Sequence, residues 1–174
     1  MNEKRMKKLG TWNLVALILT SIGAVFSLVG LPGVLFPNKA AYVEMGGEEL
    51  YNQVNSWAYK VPSVIGVIVS VMFAALFFVA YKQIKAGKLP NKLIYFLNIG
   101  YFVLSLILQQ FVFHTVSTAS LSSINDSEMS GIVSEVVAVA SVVGIVFATL
   151  LHLPQVMCLI QIFKLEGSTQ ENQN

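Results

Sequence analysis

The chain has 174 residues, 55% of them hydrophobic and only 11% charged, with a mean hydropathy of +0.69. Soluble domains carry about a quarter charged residues, so this composition specifies an integral membrane protein. A net charge of +2 with no basic patch interleaved with aromatics points away from nucleic acid, and one cysteine, Cys158, excludes an internal disulfide, a CxxC redox pair and a cysteine-rich metal site.

Four apolar stretches are long enough to cross a bilayer, at about 20 residues and 1.5 Å each. The first covers residues 11–36, after a basic flank, "MNEKRMKK". That flank fits the start of a signal peptide, but the apolar run is too long for one and no A-x-A-like site follows, so the segment is expected to be a retained helix. On a helical wheel Asn13, Thr20, Ala24 and Ser27 share a face.

The connection after it, "GGEELYNQVNSWAYKVP", places Leu50, Val54, Trp57 and Val61 at helical spacing. A short amphipathic helix over 48–58, lying on the membrane surface, is one expectation, and a structured loop packed on the helices is the other. The second span, 61–81, carries a small-residue stripe of Gly66, Ser70 and Ala74, with Ser63 on the same face. The loop "KAGKLPNK" then supplies Gly and Pro to stop one helix and start the next.

The third span, 93–113, aligns Asn98, Ser105 and Gln109 on one face. The loop behind it is rich in Ser and Thr, and Asn125 with Glu128 resembles a capping box for the last helix. The fourth span, 132–163, has a stripe of Ala140, Gly144 and Ala148 that Gln155 continues. Its apolar run from Val136 to Phe163 is about 42 Å long at 1.5 Å per residue, more than a bilayer core needs, so it must tilt, project or bend. Pro154 lacks a backbone N–H and crowds the Leu150 carbonyl, which predicts a bend there.

Lys and Arg set the direction. Lys4, Arg5, Lys7, Lys8, Lys82, Lys85, Lys88, Lys92 and Lys164 lie on one side of the four spans, and of the 11 basic residues only Lys39 and Lys60 lie on the other. Both termini and the middle loop are therefore expected in the cytoplasm. The fold expected is all-α: a single four-span helix bundle, both termini inside, in the cell membrane.

The nearest Asp, Glu, Lys or Arg to a span interior is Glu135, in the first turns of the fourth, where the helix dipole and interfacial water tolerate it, and HExxH, GxGD and histidine-box patterns are missing. Neither catalysis nor a cofactor is expected. The polar residues inside the spans, Asn98, Ser105, Gln109, His152 and Gln155, form the candidate intramembrane site. Single amides commonly act as glue between helices, and His152 with Gln155 suits the carbonyl freed by Pro154, so packing competes with function at each of them. The functional expectation is a non-enzymatic protein acting through protein–protein interaction, as an accessory, regulatory or immunity-type subunit. Its partners would be the lipid bilayer and another membrane protein or further copies of itself. The alternative is a small oligomeric channel or transporter that uses the polar faces of the third and fourth helices.

Overall fold

The computed structural model describes residues 3–122 and 127–170, and the side chains of all of these except 109–135, 137, 169 and 170. Among the described residues six helices follow one another: α1 (Glu3–Leu35), α2 (Lys39–Asn55), α3 (Trp57–Lys85), α4 (Leu93–Ser122), α5 (Ser127–Leu151) and α6 (Leu153–Gln170). There is no strand among the described residues. Three helical stretches are long and apolar enough to cross a membrane: Glu3–Leu35, Trp57–Lys85 and Ala138–Ser168. Leu93–Leu108 is a shorter apolar helical stretch. The Asn125–Glu128 capping box and the surroundings of Gln109 and Glu135 lie outside the described residues.

The helix boundaries have local causes. Asn38 caps α2, its side-chain oxygen accepting from the Ala41 amide at 3.4 Å. The C-terminus of α3 is closed by Gly87 at φ 74. The Gly87 amide donates to the Ile84 carbonyl at 3.0 Å and the Lys88 amide to the Gln83 carbonyl at 2.9 Å. This is the Schellman arrangement, which uses a left-handed residue to satisfy the last carbonyls. Pro90 follows, and the Asn91 side chain accepts from the Leu93 amide at 2.9 Å to open α4.

The expected surface helix over 48–58 is met in part. Residues up to Asn55 are helical, but Ser56 is extended at φ -71, ψ 152, and its hydroxyl donates to the Gln53 carbonyl at 2.6 Å. That hydrogen bond ends α2, so Trp57 begins α3 with 78% of its surface exposed, while Val54 is buried. One hydrophobic period therefore runs across two helices. Inside α2 the chain turns at Gly46 and Gly47, and Gly47 adopts φ 77, ψ 179, a region almost restricted to glycine. A Gly47→Ala variant should lose about 1–3 kcal/mol of local stability. Hydrogen exchange of the 39–55 amides would register it as faster opening; unchanged protection would contradict it. On the same helix Lys39 pairs with Glu48 at 2.9 Å, and the carboxylate holds this fully exposed ammonium above its ordinary pKa. A raised lysine pKa stabilises below the ordinary value and is lost only as pH climbs through the raised one, so this pair is intact at neutral pH.

The fourth apolar stretch is broken where its proline predicts. α5 ends at Leu151, α6 begins at Leu153, and the His152 amide donates to the Thr149 carbonyl at 3.1 Å. The Val156 amide reaches the His152 carbonyl only at 3.5 Å. Pro154 has no hydrogen to offer Leu150, so the regular ladder cannot pass through.

Contacts group the chain into two compact units. The first comprises Met1–Phe26, Ile68–Phe102 and Thr149–Asn174. Its core is Met6, Leu9, Phe73, Phe77, Ile84, Tyr95, Cys158, Leu159, Ile162 and Leu165. Gly10 of α1 lies against Ile84 of α3; a Cβ there would meet it at 3.4 Å, an ordinary contact. The Arg5 guanidinium donates to the Lys164 carbonyl at 2.7 Å, and Lys92 pairs with Glu166 at 3.0 Å. Both contacts are half-exposed or exposed and add little to stability. The second unit comprises Ser27–Val67 and Val103–Ala148. Its described apolar residues are largely exposed; Ala140 and Gly144 are exposed too, and a Cβ on Gly144 would meet nothing within 4 Å.

Candidate functional site

The buried polar groups of the first unit start from Asn13, which is fully enclosed on α1. Its amide nitrogen donates to the Phe77 carbonyl of α3 at 3.0 Å, and its oxygen accepts from the Tyr95 hydroxyl of α4 at 2.6 Å. The single phenolic hydrogen is spent there. Cys158 of α6 packs beside Tyr95 in the same buried core. Three helices, α1, α3 and α4, thus meet in one chain of hydrogen bonds. Rings pack around it: Phe77 lies 5.6 Å from Tyr95 and 6.3 Å from Phe73 between centroids.

Helices α4 and α6 run antiparallel along this core. Lys92 meets Glu166, Phe96 packs edge-on to Phe163 at 6.2 Å, Tyr95 meets Cys158, and Phe102 stacks on His152 at 3.7 Å with the planes 15° apart. From the Lys92–Glu166 pair to the Phe102–His152 pair the first number rises while the second falls. Between the Tyr95–Cys158 and Phe102–His152 contacts this register sets Asn98 opposite Gln155. Asn98 retains 6% exposure and Gln155 2%. Neither Asn98 Oδ1 nor Gln155 Oε1 accepts a hydrogen bond, and the same holds for Gln83 Oε1 further along α3.

The five residues expected from sequence therefore separate. Asn98, His152 and Gln155 belong to the first unit and share one flank of α4 and α6. Ser105 is half-buried and belongs to the second unit, and the Gln109 side chain lies outside the described residues. Tyr95 and Asn13 carry the actual hydrogen-bond chain. Asn13 was visible on the wheel of the first helix. Tyr95 sits three residues before Asn98 on the same face, and that spacing was its only signal, since a Tyr near a span end ordinarily reads as an interface residue.

The chemistry available here is acceptance of hydrogen bonds by neutral amide oxygens next to an imidazole. No group of three or more His, Cys, Asp or Glu is placed to hold a metal ion among the described residues. No family model, curated protein or solved structure matches the chain.

Proposed function

We propose that the protein crosses the membrane four times with both termini in the cytoplasm, and that it acts without catalysis by binding another membrane protein through the face of α5. The observation that carries the binding is the uncovered small-residue stripe. Ala140 and Gly144 are exposed one helical turn apart, with open space above Gly144. Val136, Val139, Val143 and Phe147 around them are also exposed. Lipid gives no hydrophobic gain for covering such a stripe, whereas a second helix gains close backbone approach and dispersion contacts there. The partner is accordingly a transmembrane helix with its own small or flat face, and the protein is an accessory or regulatory subunit.

Two outcomes test this. Gly144→Leu fills the stripe, so a partner that copurifies stoichiometrically with the wild type in mild detergent should fall at least tenfold in yield while expression and insertion persist. Retention of the same partner at the same yield would contradict the assignment.

Topology has its own test. In a Cys158→Ala background, cysteines placed at Asn52 and Ser123 should react with an impermeant thiol reagent in intact cells, and cysteines at Gly87 and Ser168 should not. The nine-to-two distribution of Lys and Arg supports that orientation. Labelling at Gly87 in sealed cells would reverse it.

The helix break beside unpaired amides favours the second reading, a small oligomeric transporter. Solute flux through a purified homo-oligomer with no copurifying partner would install it instead.

A further inference from the structure

We propose that the break in the fourth apolar stretch, together with Asn98 and Gln155, is a binding site for a monovalent alkali cation. Two neutral oxygens, Asn98 Oδ1 and Gln155 Oε1, are buried there without a donor. The contacts that flank them on both sides, Tyr95 with Cys158 and Phe102 with His152, hold α4 and α6 at one register, which brings the two amides to the same level. A buried acceptor left without a donor is costly, and two at one level of adjacent helices select a ligand that supplies positive charge.

The backbone adds to the same polarity. α5 ends at Leu151, so its last carbonyls present the negative end of that helix within the apolar stretch. The Leu150 carbonyl is denied its usual partner by Pro154, which is itself buried next to Gln155. Side chains on a helix tilt toward its N-terminus, so Gln155 leans toward the break. Discontinuous membrane helices use unwound carbonyls and half-helix C-termini in this way to coordinate cations.

The donor set also narrows the ion. Calcium and magnesium require carboxylates, and no Asp or Glu occurs between Val136 and Leu165. Zinc and copper require imidazole or thiolate clusters; among the described residues no three His, Cys, Asp or Glu come together, and the His152 ring is stacked on Phe102. Neutral amide and main-chain oxygens suit sodium or potassium, as carbonyl oxygens do in selectivity filters.

The test uses the full chain purified in detergent, unfolded thermally in sodium, potassium or choline chloride at matched ionic strength. The midpoint should rise saturably with sodium or potassium relative to choline, because a ligand that binds only the folded state stabilises it by mass action. Gln155→Glu puts a carboxylate at the same distance from the backbone and should lower the half-saturating concentration about tenfold, the factor that corresponds to about 1.4 kcal/mol. Gln155→Leu should abolish the salt difference, and should that variant fail to fold, Gln155→Glu decides alone. Equal midpoints in all three salts would overturn the proposal in favour of a bound water. An unchanged half-saturation in Gln155→Glu, or a shift that survives in folded Gln155→Leu, would overturn it by placing the cation elsewhere. None of these readouts depends on a partner protein, so the fate of the α5 interface is decided separately.

Discussion

Replacing Tyr95 by phenylalanine should lower the stability of the first unit by about 1–3 kcal/mol. The change removes one oxygen from a fully buried side chain and leaves the ring and its packing on Phe77 in place. It strips Asn13 Oδ1 of its donor. Asn13→Ala should do comparable damage by a different route, orphaning the Tyr95 hydroxyl and one lone pair of the Phe77 carbonyl. Because the two residues share a hydrogen bond, the double variant should fall short of the sum of the single losses by about 0.5–3 kcal/mol. In a bilayer the lower end of that range is expected, since the separated helices also find partners for their polar groups. Reversible denaturation in mixed micelles measures the cycle. Strict additivity would mean that the hydrogen bond contributes nothing.

Phe77→Ala should be the more damaging change, at about 3 kcal/mol, the low end of the range for a buried aromatic truncation. The ring is fully enclosed among Phe73, Tyr95 and the other core residues. Its surroundings are apolar whether the helices are together or apart in lipid, so the transfer part of the usual penalty is reduced, and the cavity and lost dispersion contacts remain. The neighbouring Phe78 provides the control. It is 48% exposed and sits under the Lys82 ammonium at 4.9 Å. Phe78→Ala should change stability by no more than about 0.5 kcal/mol. Similar losses at the two positions would mean that the face assignment of α3 is wrong.

Much of this arrangement was legible in the chain. The wheel of the first helix placed Asn13 and Ala24 on the buried face because lipid-facing positions accept only apolar side chains, so a polar residue in a span marks its inward side. Pro154 announced the break because a missing N–H has the same consequence in any helix. The segment after Gly47 read as amphipathic, and most of it is helical. The sequence concealed the break at Ser56, because one local hydrogen bond from a side chain to Gln53 outweighs a hydrophobic period that continues undisturbed through Trp57. Tyr95 escaped for a related reason. Its partner Asn13 is 82 positions away, and no spacing rule reaches across that distance. The stripe at Ala140 and Gly144 stands open, because a list of small residues fixes a face but not which helix covers it.

The measurement that bears most directly on the account is photo-crosslinking from α5 in living cells. A photoreactive residue at Ala140 should give a discrete adduct with a different membrane polypeptide, and one at Val142, about 200° away on the same helix, should give none above the lipid background. An adduct of the same size from both positions, lipid alone from Ala140, or an adduct from Ala140 that contains only a second copy of this chain would contradict the binding function proposed for it.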